Sequence, residues 1–230
     1  MRLAILDLTS HPEPLLTGSS RASTAIRDWL APALPDAEMT VFDIAEGGEA
    51  LPQSDEFSGF IISGSECGVY DDTAWMQPLR HLLLAARQNA KPIYGICFGH
   101  QIMADTFGGK AQKAACGRVV GARHFTSADG DFDAHVWHQD QVTRIPPQAR
   151  VTATADYCLV AALDYSFPAR SVQYHPEFDA AHLIDLFEKG RNVLIDEASA
   201  TEAMNSMKNA NVRCDLGAAS AAEFFRANPR

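Results

Sequence analysis

One stretch of this chain, Lys91-Pro92-Ile93-Tyr94-Gly95-Ile96-Cys97-Phe98-Gly99-His100-Gln101, constrains the fold more than any other. Its apolar beginning suits a buried strand, and Ile102, Met103, Ala104 and Phe107 continue with helical spacing. Cys97 therefore falls on a strand-to-helix turn. Gly95 and Gly99 stand two residues before and two after it, where small neighbours let the backbone pass closely at a nucleophile elbow. A helix starting there aims its N-terminal amides and positive dipole end at the sulfur, which favours the thiolate. A cysteine packed as a small hydrophobe satisfies the same local pattern. The elbow alone leaves nucleophile and core residue both open.

Far downstream, Ser171-Val172-Gln173-Tyr174-His175-Pro176-Glu177-Phe178 combines strand-like alternation with a histidine and a glutamate two positions apart. Pro176 holds His175 in extended backbone. A thiol nucleophile needs a base within hydrogen-bond reach, and the base needs a third group to orient it and stabilise its charge. Cys97, His175 and Glu177 can fill those roles, although a strand-end turn with a solvated carboxylate has the same sequence.

With Ile61-Ile62-Ser63-Gly64-Ser65 and Trp137-His138-Gln139-Asp140, these two stretches make four elements in an order that resembles the class I glutamine amidotransferases. That family supplies the glutaminase units of GMP synthase, anthranilate synthase and carbamoyl phosphate synthetase, and the likeness is to the GMP synthase branch over roughly residues 1–187. The resemblance implies Cys97 as nucleophile, with His175 and Glu177 as its base and orienting carboxylate. It implies an oxyanion hole from the N–H groups of Ser65 and Phe98, and glutamine contacts from Gly64, Gln101, Trp137 and His138. Without it, Gly64-Ser65 is an ordinary turn, and His100 and Gln101 read as exposed residues of a first helical turn. Many relatives carry Gly-Gly-Pro where this chain has Gly64-Ser65-Glu66, so the hole is expected to form less readily and to await a substrate or partner. Glu66 reads either as a substrate contact or, more commonly for a loop glutamate, as a solvated carboxylate.

The expected fold is α/β: an open, doubly wound, mostly parallel sheet flanked by helices, flavodoxin-like, with a small antiparallel extension. Strands are expected at Arg2 to Leu8, Met39 to Ile44 and Phe57 to Ser63, with a loop through Ser20 and a helix whose face is Ala22, Ile26, Trp29 and Leu30. Thr73 is the expected cap of a helix with the stripe Trp75, Leu79, Leu82, Leu83 and Ala86. Short strands should follow at Arg118 to Ala122, Ala134 to Trp137, Val151 to Ala155, Cys158 to Leu163 and Arg170 to Tyr174, before a helix from Phe178 to Leu186. Residues 1–190 form the expected catalytic domain. Residues 191–230 form a helical extension, read as a cover, a dimer or partner contact, or a loosely packed terminal helix.

A formal charge of −10 over 230 residues argues against nucleic acid or an anionic membrane as partner. No apolar run reaches a membrane span, the N-terminus does not read as a signal peptide, and a cytoplasmic location is the expectation. The five cysteines lack paired spacing, so neither a disulfide framework nor a zinc ribbon is indicated. His135 and His138, three apart, would point to different faces of a strand, which disfavours a metal. The chemistry needs no metal or organic cofactor.

The expected activity is hydrolysis of the glutamine side-chain amide through a Cys97 γ-glutamyl thioester, with ammonia passed to an acceptor. A γ-glutamyl peptide or amide hydrolase with the same three residues is the alternative, and a non-catalytic regulatory protein is a third. The chain shows no Gly-rich Lys-Ser/Thr phosphate loop, so it is expected to serve a separate synthase subunit or to act alone, with homo-oligomerisation open.

Overall fold

β1 (Arg2–Asp7) alternates Leu3 and Ile5 with Ala4 and Leu6, and the computed structural model, which describes residues 1–10 and 21–229, buries both sets. Burial on both faces is the condition of a parallel strand covered by helices on either side. Next along the chain come α1 (Ala22–Leu30), β2 (Glu38–Asp43), β3 (Gly59–Ile62), α2 (Met76–Gln88), β4 (Ile93–Ile96) and α3 (Phe98–Thr106). β5 (Lys110–Lys113), β6 (Val119–Ser127), β7 (Phe132–His138), β8 (Asp140–Arg144), β9 (Ala149–Ala155), β10 (Cys158–Tyr165) and β11 (Ala169–Val172) follow. The chain then forms α4 (Ala180–Gly190), α5 (Glu197–Met207) and α6 (Cys214–Ala227).

Among the described residues the main sheet runs β2-β1-β3-β4-β11-β10-β9-β6-β7. From β2 to β11 every neighbour is parallel, in the flavodoxin-like order. From β11 onward the pairings are antiparallel, so the extension continues the same sheet with four more strands and is larger than expected. One face packs Leu3, Ile5 and Ile61 against Ile26 and Trp29 of α1 and Phe225 of α6. The other packs Ala4, Leu6 and Ile62 against Leu79 and Leu83 of α2 and Ile102 and Met103 of α3.

Some local expectations are corrected. Thr73 does not cap α2: the N-cap is Trp75, and the buried Thr73 hydroxyl has no partner. Pro78 is the third residue of α2, where no intrahelical N–H is lost. β5 and β8 pair as a separate ribbon that the sequence did not announce, because three of the four β5 residues are polar and face outward. α4 starts at Ala180 with Asp179 accepting the His182 N–H at 2.7 Å, which leaves Phe178 outside the helix. The loop expected through Ser20 lies in residues 11–20, outside the described residues.

Residues beyond 190 join the same core. Phe225 is fully buried, Tyr94 packs between Phe224 and Phe225 at 6.1 and 6.4 Å, and the Trp29 indole N–H donates to Cys214 O at 2.9 Å. α5 lies over β6 at Gly121, whose φ is +98° and where a Cβ would sit 2.4 Å from Ser206 Oγ. Only glycine admits that approach.

Candidate active site

Cys97 sits between β4 and α3 with φ 53° and ψ −103°, a conformation that non-glycine residues adopt at a cost of about 1–3 kcal/mol. The surroundings hold it there. A Cβ on Gly99 would lie 2.4 Å from Ile62 O, and one on Gly95 would lie 2.7 Å from the Gly99 backbone. Cys97 N–H donates to Val172 O at 2.8 Å, so the elbow is bonded to the end of β11. The chain leaving β11 is thereby carried past the sulfur.

His175 arrives three residues later. Its N–H donates to His135 O at 2.8 Å, its ring stacks on Phe178 at 4.1 Å and 5°, and Nδ1 is 2.7 Å from Glu177 Oε1. That bond assigns the proton to Nδ1 and leaves Nε2 for the Cys97 sulfur, with which His175 is hydrogen-bonded. Burial alone would lower the pKa of His175. The Glu177 carboxylate, and then the charge and hydrogen bond of Cys97, reverse this and raise it above the ordinary 6.5. Glu177 thus favours the imidazolium form of His175. Gln173, missed in the sequence, is fully buried and donates from Nε2 toward Cys97 Sγ at 3.7 Å. Two-residue alternation puts it on the face of His175, which is the signal that could have found it.

A cavity of about 230 Å³ opens beside these groups, lined among others by Gly64, Ser65, Cys97, Gln101, Trp137, His138, Asp140 and His175. A Cβ on Gly64 would be 3.3 Å from His175 Cε1 and 3.7 Å from Cys97 Cβ, so the turn after β3 lies against the pair. Ser65 follows on that turn. Phe98 opens α3, where first-turn N–H groups have no intrahelical acceptor, and its buried ring packs edge-on to Trp75 at 5.6 Å.

His100 and Gln101 are buried, so the exposed first-turn reading that the sequence allows without the resemblance does not hold. His100 Nε2 meets Val160 O at 3.1 Å, and Nδ1 meets Ser171 Oγ at 2.8 Å. Burial lowers its pKa to about 3, so it is neutral and structural. Gln101 Nε2 donates to Asp140 O at 3.0 Å and Gln173 Oε1 at 3.3 Å, which leaves only its own carbonyl oxygen for a ligand. His138 is likewise engaged within the protein, Nδ1 to Asp140 O at 3.0 Å and Nε2 to the Tyr157 hydroxyl at 3.3 Å. Burial brings its pKa down to about 4. Trp137 stacks on Phe187 at 5.4 Å and turns its carbonyl toward Cys97 Sγ at 3.7 Å.

Those bonds converge on the backbone of Asp140 and fix it. Its carboxylate is another matter: the residue is 4% exposed and lines the cavity, and no backbone or charged group is bonded to either oxygen. The exposed Tyr70 hydroxyl is directed at it as a donor and Lys113 faces it, but burial outweighs both and raises its pKa. A buried carboxylate so placed invites a cation. Asp140 stood in the sequence element around Trp137, but nothing local distinguished it from a capping or solvated aspartate. Glu66 also lines the cavity, and is exposed and occupied by the Ser10 N–H at 2.9 Å. His135 turns away and bonds Phe178 O at 2.7 Å. Among the described residues no cluster of three or more His, Cys, Asp or Glu could hold a metal ion, and no helix is long and apolar enough to cross a membrane.

Comparison with known proteins agrees with this architecture. Residues 33–183 match the family described as glutamine amidotransferase class-I. Gamma-glutamyl peptidase 5 of Arabidopsis thaliana is 30% identical over 171 residues, covering 68% of this chain and 68% of that protein. A glutamine-hydrolysing GMP synthase of Bacteroides fragilis is 34% identical over 158 residues, 64% of this chain but 30% of the relative. The fold is shared with a glutamine amidotransferase from Thermotoga maritima, TM-score 0.78 at 18% identity over 97% of both chains. One from Methylobacillus flagellatus gives 0.80 at 19% identity over 99% of this chain and 94% of that one. With two thirds of its length under one family and the peptidase relative spanning as much, the chain is an enzyme of the class I glutamine amidotransferase family.

Proposed function

We propose that this enzyme hydrolyses the γ-glutamyl amide bond of glutamine or a γ-glutamyl compound through a thioester on Cys97. The observation that carries the reading is the juxtaposition of a strained, buried Cys97, the His175–Glu177 pair bonded at 2.7 Å, and a cavity lined by the buried carboxylate of Asp140. Asp140 receives the α-ammonium of the glutamyl group, which places the γ-carbonyl at the sulfur.

Cys97 Sγ attacks the carbonyl carbon, and the oxyanion is met by the N–H groups of Ser65 and Phe98. Each such donor is worth on the order of 10²-fold in rate. The C–N bond breaks as His175 Nε2 gives its proton to the departing nitrogen. Acylation removes the negative charge of the sulfur, one of the causes that holds His175 protonated. The ring then accepts a proton from water, whose oxygen displaces Sγ and releases glutamate.

A second reading, in which the freed ammonia goes to a separate synthase subunit, is favoured by a particular relative. A subunit of the glutamine-hydrolysing GMP synthase from Methanopyrus kandleri is 41% identical over 97 residues, 37% of this chain and 51% of that one. The test of the reaction is glutamate release by the purified chain from glutamine and γ-glutamyl dipeptides, with mass spectrometry of the quenched enzyme. A γ-glutamyl adduct on the Cys97 peptide is expected. Glutamate release that persists in Cys97→Ala would overturn the mechanism.

A further inference from the structure

The cavity that holds Cys97 and His175 is lined by more than the catalytic and glutamyl-binding groups. Beside Phe178, which stacks on the His175 ring, the lining includes Leu186 of α4, Leu194 and the exposed Arg118. Ammonia as leaving group needs neither an apolar wall nor a cation. Register places the arginine: Val119 pairs with His138, so Arg118 lies one step further, level with Gln139 in the element that carries Asp140. Asp140 and Arg118 thus line one cavity with Cys97 and His175.

Arg118 Nη1 donates to Leu194 O, which fixes the guanidinium on the wall. Among the described residues no carboxylate pairs with it within 4.0 Å, while Arg21, Arg80, Arg150, Arg170, Arg191 and Arg213 all have acidic partners. A fixed guanidinium with donors to spare, above apolar side chains, matches an apolar amino acid bearing a free carboxylate.

Resting on the reaction proposed above, we infer that Arg118, Leu186 and Leu194 form the subsite for the departing amine. The substrates are γ-glutamyl amino acids or peptides with an apolar residue after the glutamyl group, its carboxylate paired with Arg118. In the reaction the C–N bond breaks, the amine nitrogen takes the His175 proton, and an amino acid leaves in place of ammonia.

The test compares kcat/KM of the full chain on glutamine, γ-glutamyl-leucine and γ-glutamyl-leucinamide, which keeps the side chain and cancels the charge. γ-Glutamyl-leucine is expected to exceed each of the others by about tenfold or more, the worth of one charged hydrogen bond. Arg118→Gln should bring the leucine-to-leucinamide ratio near one through KM, and Arg118→Lys should restore part of it. Equal rates on the leucine and leucinamide compounds, a preference for glutamine, or an Arg118→Gln variant that keeps the ratio while losing rate on all would overturn the subsite. Silence on every compound, with no adduct on Cys97, would overturn the reaction itself.

Discussion

Gly99 donates its N–H to the carbonyl of Ser63 at 3.1 Å, tying the first turn of α3 to the end of β3. That bond sets the distance between the Cys97 elbow and the Gly64-Ser65 turn. A Cβ at position 99 would lie 2.4 Å from Ile62 O, a backbone atom with no room to yield. Gly99→Ala is therefore expected to cost about 1–3 kcal/mol in denaturant unfolding and to lose activity beyond that. A variant of native stability and activity would refute the close approach.

Strain at Cys97 can be measured separately from its chemistry. Cys97→Gly and Cys97→Ala both remove the thiol, but only glycine relaxes at φ 53°. The glycine variant should be the more stable by about 1 kcal/mol, with both inactive. Equal melting would mean the elbow stores no strain.

The pH dependence follows from His175. Its pKa is raised in the folded protein, so the imidazolium, and the stability of its pair with Glu177, is fully present below 6.5 and is lost only as pH rises through the higher folded value. The falling limb of kcat/KM should accordingly lie on the alkaline side. Glu177→Gln removes the strongest upward influence and should shift that limb to lower pH, with about a 10²-fold loss at neutrality. Cys97→Ala and His175→Ala should lose about 10⁴-fold or more. An unshifted limb in Glu177→Gln would remove the carboxylate from its orienting role.

Asp140→Asn should act in opposite senses on stability and binding. Burial raises the Asp140 pKa, so the charged form costs stability above that pKa. The amide should stabilise by about 1 kcal/mol at neutral pH, a gain that fades in acid as the wild-type carboxyl takes its proton. It should also raise KM for glutamyl substrates about 10-fold or more, with a smaller change in kcat, since a charged partner of the α-ammonium is gone. An unchanged KM would place the α-ammonium elsewhere.

Phe225→Ala tests whether the C-terminal helices belong to the core. The ring is fully buried against Tyr94, and its loss should cost about 3–5 kcal/mol. Retained stability would mark residues 191–230 as an appendage.

Much of this molecule was legible in order along the chain. The Cys97 elbow, the α1 face of Ile26, Trp29 and Leu30, and the buried parallel strands each show in spacings of two or three to four residues, because a local backbone period decides which side chains face the core. The glycines at 95 and 99 announced a close approach before any neighbour was known. Tertiary structure decided the rest. That His100 is buried against Ser171, that Gln173 reaches Cys97, that the Asp140 carboxylate is buried on the cavity of Cys97, and that Arg118 shares that cavity all depend on β11 lying beside β4 and on Val119 standing opposite His138. Sheet register joins residues tens of positions apart, and no local periodicity encodes which distant groups it will bring within hydrogen-bond reach.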